Sequence, residues 1–108
     1  MSYQITDSNG VTRLNPEHRT MLSVLQDLRK RHRDENDTFP EAILTHESGW
    51  AISVTRKGTV VLEIPDDPDS IYVLKKLDTD EVINLWQQLA MGNLDRIRAL
   101  PWTKTTGG

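Results

Sequence analysis

The sequence predicts a single α+β domain, an antiparallel four-stranded meander with two helices packed on one face and a small hairpin ahead of it. Three observations lead there. Four apolar runs lie between Ala42 and Leu77, joined by links too short for parallel crossovers. Two further segments, one before those runs and one after, repeat apolar residues at helical spacing. Each helix carries one apolar stripe and the sheet one continuous apolar face, so the economical packing sets both helices on one side of the sheet.

The elements follow in order. Tyr3 and Ile5 alternate with polar residues, Asn9-Gly10 marks a turn, and Val11 and Leu14 follow, which reads as a short hairpin. Asn15-Pro16-Glu17 is a helix start, with Asn as the cap, Pro at the first helical position and an acid in the first turn. Met21, Leu22, Leu25 and Leu28 then form one stripe. Arg29 to Arg33 closes the helix with cations where its dipole is negative. Asp34 to Thr38 is a polar connection, and Phe39-Pro40 ends it because a residue before proline avoids helix.

The four strands are Ala42–Glu47, Trp50–Thr55, Thr59–Ile64 and Ile71–Leu77. Ser48-Gly49 and Arg56-Lys57-Gly58 supply turns, and Pro65 to Ser70 is a loop of turn-forming residues. Asp78 and Glu81 have capping-box spacing for the second helix, and Leu77 and Val82 bracket it as a hydrophobic staple. Val82, Leu85, Trp86 and Leu89 share a face, Gly92 is placed to cap, and Leu94 and Ile97 make one more short turn before Pro101. The expected core joins Ile52, Val54, Val60, Leu62, Ile64, Ile71 and Val73 to Met21, Leu25, Leu28, Leu85, Trp86 and Leu89. Residues 1–102 form the domain, and 103–108 are expected as a loose tail.

Composition narrows the function. The 108 residues are 36% hydrophobic and 27% charged, lean but foldable as one domain. A formal charge of −3 weighs against a general nucleic-acid binder, whose surface is basic. The lack of cysteine removes disulfides and thiolate metal sites. Met1 to Gln4 lacks a signal pattern, and no apolar run approaches the roughly 20 residues that span a bilayer. The expectation is a cytoplasmic protein, monomer or homodimer, with no membrane contact.

No catalytic or metal set emerges. His18 and His32 lie at opposite ends of the first helix, and His46 and Glu47 are strand neighbours that point to opposite faces. There is no G-x-S-x-G, and the glycines at 10, 49, 58 and 92 stand one per turn or cap. No cofactor loop or metal set can be nominated, and an enzyme is the least favoured class. Asp66, Asp67 and Asp69 form the most suggestive cluster: a turn by default, and an anionic patch for a basic partner on the sharper reading. Asp78, Asp80 and Glu81 extend it. Trp50 and Trp102 are candidate interface anchors, with plugging the two ends of the core as the plainer role. The basic run Arg29, Lys30, Arg31 and Arg33 is the alternative site, for nucleic acid or a small ligand, against the plainer reading of a solvated helix end.

The closing segment, with Leu85, Trp86, Leu89, Gly92, Pro101 and Trp102, resembles that of small bacterial immunity proteins that neutralise contact-dependent or polymorphic toxins. Members of one such group are single α+β domains ending in a helix, a Gly, and a short run that finishes in Pro and Trp. The resemblance spans the last half of the chain. It implies a non-enzymatic inhibitor that covers a toxin, often a nuclease with a basic surface.

Overall fold

The computed structural model describes residues 2–7, 10–30, 41–55, 58–66 and 70–106. The chain opens with β1 (Tyr3–Thr6) and β2 (Thr12–Leu14), then α1 (His18–Lys30), then β3 (Glu41–His46), β4 (Ala51–Thr55), β5 (Val60–Glu63) and β6 (Ser70–Leu74). It closes with α2 (Thr79–Ala90), α3 (Leu94–Arg98) and β7 (Thr103–Thr106). The strands make one antiparallel sheet in the order β2-β1-β3-β4-β5-β6-β7. The fold is α+β and antiparallel as expected, and it is wider: seven strands rather than four, with a third, short helix.

Burial alternates strictly along the central strands, because successive strand side chains point to opposite faces. Ile5, Leu44, Ile52 and Leu62 lie side by side across four strands and are at most 1% exposed. They form the inner face. Met21, Val24, Leu25 and Leu28 of α1 and Val82, Ile83, Leu85, Trp86 and Leu89 of α2 complete the same cluster. The two long helices touch each other and lie against β3, with α2 reaching β4. Their contact includes a hydrogen bond between Gln87 Nε2 and His18 Nδ1.

Trp86 is the centre of this layer. Its ring is completely buried, and Nε1–H donates to the carbonyl of Ile52 at 3.1 Å. The indole thereby fills the space between helix and sheet while its polar atom is satisfied by the strand it packs on. Both ends of α2 are fixed locally. The Asp78 side chain accepts from Glu81 N–H at 2.8 Å, and Glu81 Oε1 accepts from Asp78 N–H at 3.2 Å, so the capping box is complete. At the other end Gly92 N–H donates to Leu89 and Asn93 N–H to Gln88, the paired bonds of a Schellman cap.

Three local expectations are corrected. Asn15 does not cap α1. It takes a left-handed conformation (φ 46°), its side-chain carbonyl accepts from Tyr3 N–H at 2.9 Å, and its own N–H donates to Tyr3 O at 2.8 Å. The asparagine therefore ties the end of the hairpin together, and the hairpin is part of the sheet. Ile71 and Val73 do not join the core, because Leu62 pairs with Tyr72 and Val61 with Val73. In a run that reads Ile-Tyr-Val-Leu, both phases are apolar, so only pairing decides which one faces the helices. Residues 103–106, expected to be loose, form β7 against β6. Three of the four are threonines, whose branched β-carbon suits a strand. The 34–40 connection, His32, and the Asn9, Arg56 and Lys57 turn positions lie outside the described residues.

Gly58 ties the β4–β5 turn to the segment that starts α2. Its φ is +84°, its carbonyl accepts from Leu77 N–H at 3.1 Å, and a Cβ there would run into the Leu77 carbonyl oxygen. Only glycine gives both the left-handed backbone and the close approach.

Two outcomes follow from this packing. Trp86→Ala should cost about 3–5 kcal/mol in urea unfolding, while Trp86→Phe, which keeps most of the volume and loses the hydrogen bond, should cost clearly less. Gly58→Ala should lower stability by about 2 kcal/mol or more, with the loss appearing first in the amide protection of Leu77 and the start of α2.

Candidate protein-interaction surface

The described helices lie on one side of the sheet, and pairing defines the other side residue by residue. One row runs across all seven strands as Thr12, Thr6, Ile43, Ser53, Val61, Val73 and Thr103. The next holds Leu14, Gln4, Thr45, Ala51 and Glu63. Glu41 and Thr55 pair on the opposite side of the first row. Ile43, Thr45, Ala51, Ser53, Thr55, Val61, Ile71 and Val73 are all half-buried, shaded by their cross-strand neighbours. Leu14 is 75% exposed, which makes it an apolar knob at the β2 corner. Beside it a shallow recess of about 240 Å³ is lined by Ser2, Tyr3, Gln4, Thr45, His46 and Glu47.

The charges on this face are all of one sign within the strands. Glu41, Glu63 and, just past β3, Glu47 are the charged groups, and none of the three carboxylates has a hydrogen bond or ion pair among the described residues. By contrast, Asp7 is spent on the β1–β2 turn, accepting from Val11 N–H and pairing with Arg13 at 2.7 Å. No signal in the sequence singles out Glu41, Glu47 and Glu63, which are scattered along the chain and come onto one face only through strand pairing.

The residues nominated from sequence are distributed differently. Asp66 is exposed in the β5–β6 loop, while Asp67 and Asp69 lie outside the described residues. Asp78 and Glu81 are committed to the α2 cap. Trp50 is 7% exposed and belongs to the core, so its ring offers no surface to a partner. Trp102 is partly buried against the core, and its Nε1–H donates to Ile97 O. It walls a recess of about 190 Å³ with Leu62, Ile64, Tyr72, Arg98 and Leu100. Both tryptophans thus act at the ends of the core. Arg29 and Lys30 are the last residues of α1, and Arg31 and Arg33 lie outside the described residues.

His46 is the one histidine with a structural environment of interest. It is 6% exposed, and its Nδ1 lies 2.8 Å from Ser48 Oγ and accepts from Ser48 N–H at 3.1 Å. The Ser–His spacing is that of a nucleophile and base, yet the two residues share one tight turn, closed by His46 N–H to Trp50 O and Gly49 N–H to His46 O. The serine oxygen also accepts from Trp50 N–H at 3.4 Å. The pair holds the β3–β4 turn. An amide N–H can only donate, so this contact makes Nδ1 the acceptor and selects the Nε2–H tautomer of the neutral ring; Nε2 has no partner among the described residues. Also among the described residues, no three His, Cys, Asp or Glu gather closely enough to hold a metal, and no helix is long and apolar enough to cross a membrane.

Comparison with protein-family models, with curated proteins and with solved structures finds no match for this chain.

The His46 geometry fixes a measurable state: long-range ¹H–¹⁵N correlation spectra should show the Nε2–H tautomer. Ser48→Ala, which removes one donor and leaves the amide, should preserve that tautomer while lowering stability by about 1 kcal/mol.

Proposed function

We propose that this chain is a non-enzymatic protein-binding module of the immunity type, which neutralises a basic toxin in the cytoplasm by covering part of its surface. The observation that carries the reading is the open sheet face. Its central row is neutral and half-buried, it has an exposed leucine at one corner, and no described helix packs on it. A sheet face of this kind is a rigid platform: its side chains are held by their neighbours, so little freedom is lost when a partner lands on them. The face measures roughly 29 Å by 17 Å from strand spacing and rise. Its projected area, about 500 Å², is short of the roughly 800 Å² that a standard interface covers on each partner, so residues beyond the strands would take part as well.

The resemblance to immunity proteins supports the same reading. Its residues compose one structural unit: α2 with Trp86, the Gly92 cap, α3, and the Pro101-Trp102 turn that leads into β7. That unit closes the core and supports the sheet from behind. The working surface lies on the other side. Inhibition on this reading is steric and electrostatic, with one module per toxin and no turnover.

The experiment uses the toxin gene that the reading places beside this one. Cells producing that toxin should survive when this chain is co-produced. The single variant Ser53→Lys, at an outward position in the middle of the face, should lose protection while keeping the far-ultraviolet spectrum and melting temperature. Undiminished protection by this variant would count against the face.

A further inference from the structure

Resting on that reading, the chemistry of the face specifies its occupant. Among the described outward positions of the seven strands there is no lysine, no arginine and no aromatic residue. The charged groups there are Glu41 and Glu63, with Glu47 at the rim. Lys75 stands one residue past β6, as Glu47 stands one past β3, and Arg56, one past β4, lies outside the described residues. We propose that the face receives a basic protein surface, and that the recess beside Leu14 takes the side chain of a lysine or arginine, its stem on Leu14 and its head at Glu47.

Charge complementarity separates this occupant from the others. A nucleic acid would bring phosphates to a face whose described outward strand positions offer carboxylates and neither a cation to release counterions nor an aromatic ring for a base to stack on. A second copy of this chain, packed face to face about a twofold axis, would meet Glu41 and Glu63 with the same face and so supply no cation to them. Burying an unpaired carboxylate is strongly unfavourable. A basic protein supplies what is missing at each point. Glu41 and Glu63 stand at opposite corners of the Ile43–Ser53–Val61 strip, roughly 16 Å apart by strand spacing and rise. Two cations flanking an aliphatic patch on the partner would engage both while the patch covers the strip. The recess adds a third contact in which a long side chain buries its methylenes and keeps its charge at the rim. Among the described residues the carboxylates have no partners to give up on binding.

The test places the photo-crosslinking residue p-benzoylphenylalanine at Thr45, between the recess and the strip, in the full chain produced in cells that encode it. A second chain carries it at Gln26, exposed on α1. The expected result is a protein adduct from Thr45 and not from Gln26, whose attached peptide, identified by mass spectrometry, has an excess of Lys and Arg. The triple variant Glu41→Gln, Glu47→Gln, Glu63→Gln should reduce that adduct about ten-fold, and high salt should reduce it similarly. An adduct to an acidic peptide, a protein adduct unchanged by the triple variant, a nuclease-sensitive adduct, or an adduct to a second copy each overturns the basic occupant. The first two leave the proposed face standing. The absence of any adduct from Thr45 overturns both.

Discussion

One hydrogen-bonded indole sets the terms for the rest of the molecule. Trp86 is buried without residue between α2 and the sheet, and its N–H is bound to the carbonyl of Ile52. This fixes the height and rotation of α2 over β4, and α2 in turn fixes α1 alongside it. A lean chain has apolar side chains for one dry layer and no more. Once that layer is gathered around Trp86, no described helix is left to cover the other side of the sheet. The open face is therefore a consequence of where the core was built.

The local signals were legible where a single residue decides the geometry. Asp78 and Glu81 announced the α2 start and Gly92 its end, because capping chemistry is short-range. The phase of β6 was not legible. Ile71-Tyr72-Val73-Leu74 offers two apolar alternations, and pairing with β5 chose the one that sends Tyr72 inward. Asn15 was ambiguous for a related reason: its side chain can serve a helix N-terminus or a neighbouring strand, and Tyr3 won it. β7 carries no apolar residue at all, so periodicity had nothing to register; β-branched composition was its only mark.

The candidate surface was less legible than the fold, again for physical reasons. Aromatic and clustered acidic residues draw attention in a sequence, yet the two tryptophans complete the core and two of the acids serve a helix cap. The relevant carboxylates, at positions 41, 47 and 63, are separated by turns, and only the register of β3, β4 and β5 assembles them. A surface made by a sheet is a long-range object. Its members share no local sequence pattern beyond parity along each strand, and parity is uninformative until the buried face is known.

The inner row that passes through Leu44, Ile52 and Leu62 ends at Arg13 on β2 and at Lys104 on β7, the latter lying over the Tyr72 ring at 5.9 Å. Both boundary strands thus aim a cation toward the oily side of the sheet. Any additional strand annealing to either margin would have to trap that charge against its own apolar side chains. Charge at both margins therefore disfavours sideways growth of the sheet.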